Sequence, residues 1–260
     1  MKIATWNVNS LNVRLGHVLD WLGAEQPEVL ALQEIKMTDD RFPLEAFHEA
    51  GYEAIFSGQK TYNGVALISR APAREVIRDI ADLEDPARRI LGATIDGVRI
   101  LDLYVVNGQE VGSEKYAHKL HWLDKVTAHI GGELQQHECF VVLGDFNIAP
   151  EDRDVHDPAA WHERILCSTP EREALNRLRA LGLEDCYRLF DQDPEQYSWW
   201  DYRAAGFRRN LGLRIDLILA STAMARKCTR CWIDKAPRKL ERPSDHTPVV
   251  AEFDVARTPS

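Results

Sequence analysis

The sequence lacks the features of a membrane or exported protein. No apolar run in its 260 residues reaches the roughly 18 that a bilayer span needs, so we expect no membrane partner. The N-terminal segment MKIATWNVNS has one lysine and soon turns polar, which differs from a signal peptide. Together these absences predict a cytoplasmic protein.

Cysteine is scarce, with five residues in the chain. Cys228 and Cys231 form a CxxC pair, but no second Cys or His pair follows at zinc-finger spacing. Two ordinary reduced thiols are therefore favoured, and a redox or metal role for this pair is the alternative.

An excess of positive charge is also missing, because the net charge is −9 and the pI is near 5.5. Proteins that bind nucleic acids usually contact phosphates through Lys and Arg. A DNA contact would therefore need a local basic surface or a cation held by acidic ligands. The segment 201–214 offers such a surface, with Arg203, Arg208, Arg209 and Arg214 against Asp201. A solvated loop with ordinary arginines is the alternative.

The remaining sequence reads as one domain over 1–255, followed by a short C-terminal tail at 256–260. It contains no low-complexity stretch, long linker or short repeat. Apolar runs rich in β-branched residues recur and predict strands. These runs are 2–7, 28–34, 64–69, 99–106, 140–147, 214–221 and 248–253.

Three amphipathic helices are predicted between these strands by apolar residues at helical spacing. Their stripes are Leu15, Val18, Leu19 and Leu22; Tyr116, Leu120, Leu123 and Ile130; and Leu175, Leu178 and Leu181. We expect Gly23 and Pro27 to end the first helix, Gly131 and Gly132 the second and Gly182 the third. Thr169 would cap the third helix, with Pro170 at its first helical position. Strands mixed with helices predict an α/β fold, in which two packed sheets with outer helices would bury this many strands.

Several predicted strands end in polar side chains. Asp145 and Asn147 follow the apolar run FVVL, and residues two apart in extended chain face the same side. An Asx turn that closes a strand is an equal alternative. Glu34 and Asn7 end two other runs in the same way, although Glu34 beside Lys36 also fits a solvated strand end.

A third polar group lies near the C-terminus at Asp245 and His246. Neighbours on a strand point to opposite faces, so His246 needs another carboxylate to fix its tautomer. Asp216 is the candidate, because an unpaired carboxylate inside the apolar run RIDLIL would be costly. Its alternative partner is Arg214, two residues away on the same face.

Hydrolysis of phosphate esters would use this combination of residues. A divalent cation on hard oxygen ligands neutralises the phosphate charge, and Asn, Tyr or His donors bind the oxygens on which charge develops. A set of Glu, Asp and Asn oxygens suits Mg²⁺, with Mn²⁺ as a substitute, and does not suit zinc.

Eight motifs in order along nearly the whole chain resemble those of the exonuclease III family of AP endonucleases. They are WNVNSL at 6–11, LQE at 32–34, GVAL at 64–67, YVVN at 104–107, GDFN at 144–147, SWWDYR at 198–203, GLRIDLIL at 212–219 and PSDHTPV at 243–249. The resemblance implies a DNase I-like four-layer sandwich, in which helices flank two packed mixed β-sheets.

The same resemblance implies roles for individual residues. The implied catalytic residues are Tyr104, Asp145, Asn147, Asp216 and His246. The implied metal ligands are Asn7, Glu34, Asp145, Asn147 and Asp245. The implied DNA contacts are Asn107, Trp199, Arg203, Arg208 and Arg209. His246, held by Asp216, would contact the scissile phosphate, and Trp199 would line the pocket for the sugar or strand end, with a core tryptophan as its alternative.

We therefore expect a Mg²⁺-dependent, monomeric DNA-repair nuclease that acts on double-stranded DNA with 3′ ends or abasic sites. Its activities would be those of a 3′→5′ exodeoxyribonuclease, a 3′-phosphatase or an AP endonuclease. The divergent segment 153–168 and Glu110, where some members have a DNA-inserting arginine, leave the preferred lesion open. The alternatives are a superfamily phosphatase or phosphodiesterase on another substrate and a non-catalytic nucleic-acid-binding regulator.

Overall fold

The computed structural model describes residues 1–81, 83 and 85–255. The predicted tail at 256–260 lies outside these residues, and the single-domain boundary stays a prediction. No helix in the described part of the chain is both long enough and apolar enough to cross a bilayer.

Two six-stranded mixed sheets form the centre of the fold. The first sheet has the order β13-β14-β1-β2-β4-β3, and its strands are β1 Lys2–Asn7, β2 Val29–Gln33, β3 Glu53–Ser57, β4 Val65–Ser69, β13 Cys228–Ile233 and β14 Val249–Phe253. The second has the order β5-β6-β7-β8-β12-β9, and its strands are β5 Arg74–Ile77, β6 Ile90–Ile95, β7 Val98–Tyr104, β8 Phe140–Asp145, β9 Leu183–Asp185 and β12 Asp216–Ser221. A short ribbon pairs β10 Trp199–Trp200 with β11 Gly212–Leu213.

Helices connect the strands. They are α1 Leu11–Glu25, α2 Leu44–Glu49, α3 Glu114–Gln136, α4 Pro158–Trp161, α5 Thr169–Arg179 and α6 Thr222–Ala225. Single 3₁₀ turns lie at Asp39–Arg41, Asp152–Asp154, Cys186–Leu189, Arg203–Ala205 and Ala236–Lys239.

The alternation of side chains along each strand explains the layers. Ile3 and Val29 of the first sheet pack against Val141 and Ile218 of the second in one core between the sheets. The opposite faces of the two sheets carry separate cores. One of these cores joins the first sheet to α1 and α2, and the other joins the second sheet to α3 and α5. The predicted four-layer sandwich is confirmed.

Packing and capping shift some of the predicted helix boundaries. The first helix passes Gly23 and ends at Glu25, before Pro27, whereas α3 continues past Gly131 and Gly132 to Gln136. Packing of Ile130 and Leu134 into the core between α3 and the second sheet offsets the roughly 1 kcal/mol that an interior glycine costs. The N-cap of α5 is Ser168, not Thr169, and Ser168 forms a capping box with Glu171.

The two sheets place polar side chains at one end of the core between them. In β1 the inward-facing residues are Ile3, Thr5 and Asn7, so this face becomes polar as the strand ends. In β8 Val141 and Leu143 are followed by Asp145. Because β12 pairs with β8 in register, Asp216 lies directly opposite Asp145, and Tyr104 of β7 lies on the other side of it.

Candidate active site

Two carboxylates from different sheets meet at this polar end. The amide nitrogen of Asn7 lies 2.9 Å from Glu34 Oε1 and 2.9 Å from Asp145 Oδ2, so one amide bridges both acids. The second oxygen of Glu34 accepts from Lys36 Nζ at 2.8 Å. Glu34 remains partly exposed, whereas Asp145 is buried. A cation and two amide hydrogens thus occupy oxygens that would otherwise repel each other.

The histidine at the site is fixed by a carboxylate. His246 Nδ1 lies 2.9 Å from Asp216 Oδ2 and 3.0 Å from Oδ1, and its Nε2 lies 3.7 Å from Asp145 Oδ2. The alternative pairing of Asp216 with Arg214 is wrong, because Arg214 binds Asp154 and Asp185 instead. With Nδ1 held, Nε2 is directed toward Asp145 and the carboxylate group.

Burial and mutual charge shift the pKa values of these groups. Burial raises the pKa of Asp145 to about 7, against the opposing effect of His246. Burial lowers the pKa of His246, but the carboxylates of Asp216 and Asp145 outweigh it and raise the pKa to about 10. Burial, followed by the charges of Glu34 and Asp145, raises the pKa of Tyr104 well above its usual range. His246 is therefore cationic and Tyr104 a neutral phenol at pH 7.

Asp145 and Asn147 form an Asx turn at the end of β8, which is the structural alternative for this motif, and their roles in catalysis stay a prediction. Asn147 N donates to Asp145 Oδ1 at 2.9 Å, and Asn147 has a left-handed φ of 49°. Its amide donates to Val105 O at 2.9 Å and accepts from Asn107 Nδ2 at 3.1 Å. A side chain at Gly144 would place Cβ 1.9 Å from Leu103 O, so glycine allows β8 to approach β7 just before Asp145.

Asp245 faces a different set of donors from the other acids. Its Oδ1 accepts from Asn9 Nδ2 at 2.9 Å, and its Oδ2 accepts from Trp199 Nε1 at 3.1 Å. Trp199 is half-buried, whereas Trp200 is fully buried, so Trp199 is the tryptophan with a face available at the site. Asn9 alternates with Asn7 at the end of the first predicted strand, but it was not among the predicted site residues.

Three of these side chains offer atoms that could hold a metal ion. One ligand atom each from Glu34, Asp145 and His246 lie within 4.8 Å of one another. The predicted ligands Asn7 and Asn147 adjoin this group through their hydrogen bonds to Asp145. The predicted ligand Asp245 directly precedes His246 in the chain, but its carboxylate accepts from Asn9 and Trp199.

This arrangement can be compared with known proteins. Residues 4–246 match the Endonuclease/Exonuclease/phosphatase family. The chain belongs to this family. It is 35% identical to exodeoxyribonuclease III of Haemophilus influenzae, over 97% of this chain and all of that one.

Two solved structures of the family extend the comparison. The 3′ phosphatase NExo from Neisseria, bound to a product DNA hairpin, superposes with a TM-score of 0.96 at 48% identity and covers 98% of this chain and 100% of that one. An AP endonuclease from Archaeoglobus fulgidus superposes with a TM-score of 0.94 at 37% identity, with the same coverage of the two chains.

The basic segment of this family member is smaller than its sequence indicates. Arg208 and Arg209 are exposed, and Arg203 pairs with Asp201 at 2.7 Å. Arg214 does not belong to this surface, because only 1% of its side chain is exposed. Arg214 was assigned to the basic surface because it lies close to Arg208 and Arg209 in the sequence. The chain turns into the core at β11, before it reaches Arg214.

Arg214 belongs to a buried group that we call the arginine cluster, formed by Asp154, Asp185, Arg188 and Arg214. Arg214 Nε lies 2.7 Å from Asp154 Oδ1, and Arg214 Nη2 lies 2.8 Å from Asp185 Oδ2. Arg188 also binds Asp154. Two guanidinium groups therefore face two carboxylates, and their charges balance.

A separate buried acid lies between the sheets below the site. Gln33 Nε2 donates to Asp102 Oδ1 at 2.7 Å and to Thr5 Oγ1 at 2.9 Å. Gln33 Oε1 and Asp102 Oδ2 have no hydrogen-bond partner among the residues that the structure describes. Burial raises the pKa of Asp102 well above its usual range, which favours the neutral acid. The sequence holds the same signal for Asp102 as for Asp216, a lone acid in an apolar run.

Proposed function

We propose that the protein is a metal-dependent DNA-repair nuclease that hydrolyses phosphate esters in duplex DNA. The observation that carries the proposal is the convergence of Glu34, Asp145 and the Asp216-bound His246 at one end of the two sheets. This convergence occurs in a chain that is 48% identical to a DNA-bound 3′ phosphatase along its whole length. All relatives described above are named as nucleases or phosphatases that act on DNA.

We propose Mg²⁺ as the cation, with Mn²⁺ as a substitute. The donors fit Mg²⁺, because Glu34 and Asp145 provide hard carboxylate oxygens. These oxygens accept from the ammonium of Lys36 and the amide of Asn7. Glu34, Asp145 and Asn7 would hold the ion, and Asp245 and Asn147 remain predicted ligands. When bound, Mg²⁺ would neutralise phosphate charge and polarise a phosphoryl oxygen.

His246 and Tyr104 would bind the phosphate. The doubly anionic surroundings of His246 keep its imidazole protonated, so it offers a charged donor to a phosphate oxygen. Tyr104 is neutral and offers its hydroxyl. Donors of this kind stabilise the charge that develops on phosphorus oxygens during attack.

Asp145 would orient the attacking water and accept its proton. Burial raises the pKa of this carboxylate, which makes it a stronger base. Its Oδ1 is held by Asn147 N and its Oδ2 by Asn7, so the carboxylate is fixed in one orientation. Asn147 would steady the transition state beside it.

DNA would lie across the rim of the site. Trp199 adjoins the site because its indole donates to Asp245. The exposed Arg208 and Arg209 follow in the same segment. Arg203 would also contact phosphate, although Asp201 competes for its guanidinium. Asn107, whose side chain is bonded to Asn147, would contact the DNA backbone from the opposite loop. Such contacts position a duplex without reading its sequence.

We propose 3′ ends as the preferred substrates and abasic sites as the second class. The first preference follows the similarity to a 3′ phosphatase at 48% identity, and the second follows the similarity to an AP endonuclease at 37%. Monomeric state and cytoplasmic localisation stay predictions from the sequence.

Three duplexes test this function. They carry a 3′-phosphate, a recessed 3′ end and an internal abasic-site analogue, and each is incubated with Mg²⁺ and with EDTA. We expect Mg²⁺-dependent products from the first two at higher rates than from the third. Inactivity on all three duplexes would rule out the proposed function, and a faster reaction at the abasic site would reverse the preference.

A further inference from the structure

A buried lysine lies behind two of the predicted site residues. Lys119 is on α3, and neither its side chain nor that of its partner Glu171 is exposed to solvent. Its Nζ donates to Glu171 Oε1 at 2.5 Å, Asn147 O at 2.7 Å and Asn107 O at 3.1 Å. A lysine ammonium has three donors, and each one has an acceptor here.

These bonds hold Asn107 and Asn147 from the side opposite to the site. On the site side their amides bond to each other at 3.1 Å, and Asn147 also binds Asp145 through its backbone. On the far side both carbonyls bond to one ammonium. Each residue is therefore fixed at its backbone and at its side chain.

The chain around Lys119 is built to allow this contact. Gly108 has φ +88°, and a Cβ there would lie 3.1 Å from Lys119 Cδ and 3.0 Å from Ile165 Cδ1. A side chain at this position would therefore be strained and crowded, and glycine lets the 107–113 loop pass close over the lysine.

Glu171 connects the same ammonium to a third segment. Its Oε1 also accepts from Leu166 N at 3.1 Å, and its Oε2 accepts from Ser168 N at 3.1 Å and Ser168 Oγ at 2.6 Å. The 163–168 segment and the N-terminus of α5 are thereby tied to the loops of Asn107 and Asn147.

We infer that Lys119 is a positioning residue for the nuclease reaction, and that it acts through Asn147 and Asn107 with Glu171 as its counter-ion. This inference rests on the proposed function. A buried ammonium that only stabilised the fold would not need to collect the carbonyls of two site residues from two loops. Loss of the ammonium would leave these carbonyls unpaired and let both amides shift relative to Asp145.

The test is a double-mutant cycle on a duplex with a 3′-phosphate. We expect Lys119→Met to lower kcat by about 10- to 100-fold, as supporting groups behind a reactive site do, and to change KM by less than about threefold. In an Asn147→Ala background the same substitution should lower kcat by less than about threefold, because the Asn147 amide that the ammonium positions is already absent. Purely structural damage would instead lower kcat by the same factor in both backgrounds.

Arg99→Met is the matched control for losing a buried ion pair. Arg99 pairs with Glu133 of α3 at 2.5 Å, and it lies near the start of β7, whose far end carries Tyr104. We expect it to lower stability and leave kcat unchanged. If Lys119→Met does not fold, Lys119→Met with Glu171→Gln removes the unpaired charge and is judged by the same criteria.

The outcomes separate the two proposals. An inactive wild type would rule out the proposed function and this inference with it. An active wild type with unchanged kcat in folded Lys119→Met, or with fully multiplicative losses in the cycle, would overturn the inference alone. Failure of both Lys119 variants to fold would assign the pair to folding and also overturn it.

Discussion

Two groups of buried charges lie on either side of the start of β12. The arginine cluster places Arg214 and Arg188 against Asp154 and Asp185. Two residues after Arg214, Asp216 begins the other group, which contains Glu34, Asp145, Asp216 and His246 and which we call the site cluster. The chain therefore passes from one group to the other within two residues, just before β12 begins.

The groups differ in how their charges balance. In the arginine cluster two cations match two anions, so the buried charges compensate one another. In the site cluster the three carboxyl groups of Glu34, Asp145 and Asp216 outnumber the two cations His246 and Lys36, and burial raises the pKa of Asp145 to about 7. Balanced buried charges fix a structure, whereas an excess of one sign leaves a site that a cation and an anionic substrate can complete.

The largest expected effect separates activity from stability in the site cluster. Asp145→Asn should lower kcat by about a thousandfold or more, because the group that orients water is lost. Stability should be kept or should rise, since burial disfavours the carboxylate. Glu34→Ala and His246→Asn should also lower turnover by orders of magnitude. Rates on a 3′-phosphate duplex and urea unfolding measure both properties, and a kcat within tenfold of wild type would contradict the assignment.

The opposite pattern is expected in the arginine cluster. Arg214→Met leaves Asp185 unpaired and removes one partner of Asp154, so the free energy of unfolding should fall by about 3–5 kcal/mol. The folded variant should keep kcat within about threefold of wild type. Urea unfolding measures the first quantity, with Arg226→Met as the exposed control. A thousandfold loss of kcat at full folding would erase the distinction between the two clusters.

A smaller effect concerns Asp102, which belongs to neither cluster. Because the pKa of Asp102 is raised, the folded protein keeps a proton that the unfolded chain releases once the pH exceeds the ordinary aspartate pKa of 3.8. The stability from this group is therefore complete below that pH and falls by about 1.4 kcal/mol per pH unit up to the folded pKa. Asp102→Asn keeps an oxygen that can accept from Gln33 Nε2 but has no titratable group, so its stability does not include this loss.

The stability of Asp102→Asn relative to wild type should therefore increase with pH. Urea unfolding at pH 6 and pH 8 measures the difference between the proteins, which cancels the titration of groups they share. Thr5→Val, which removes the other acceptor of Gln33, is the control and should show no such trend. An equal difference at both pH values would mean that the folded protein carries a charged Asp102.

The smallest effect is expected at the surface. Arg208→Ala and Arg209→Ala should each weaken DNA binding a few-fold and reduce the slope of log affinity against log salt by about 0.9 per phosphate contact. Arg203→Ala should change the slope less, because Asp201 already neutralises Arg203. Binding to duplex DNA in EDTA at several salt concentrations measures the slopes. Equal slopes for all four proteins would remove this segment from the interface.

Much of this arrangement was predictable from the sequence, because its signals are local. Asp216 stood inside an apolar strand and needed a cationic partner, and His246 is that partner. The strands that carry Asn7, Glu34 and Asp145 were visible as apolar runs that end in polar residues. Their meeting point was not visible, because it depends on strand order and on the packing of two sheets.

The failures have physical causes of the same kind. Arg214 looked like part of a basic surface because charge was counted along the chain, whereas the chain turns inward there. Lys119 lies three residues after Tyr116, on the buried face of α3, and a lysine in an apolar stripe was the signal that could have identified it. Gly131 was taken as a helix end because propensity cannot include the packing that keeps α3 helical.

The most direct test of the account is Mg²⁺ binding, because the central claim is that uncompensated carboxylates form a cation site. Isothermal titration calorimetry would compare wild type, Glu34→Gln and Arg214→Met in the absence of DNA. We predict saturable binding by wild type and Arg214→Met and at least tenfold weaker binding by Glu34→Gln. Equal binding by wild type and Glu34→Gln, or no binding by wild type, would contradict the account.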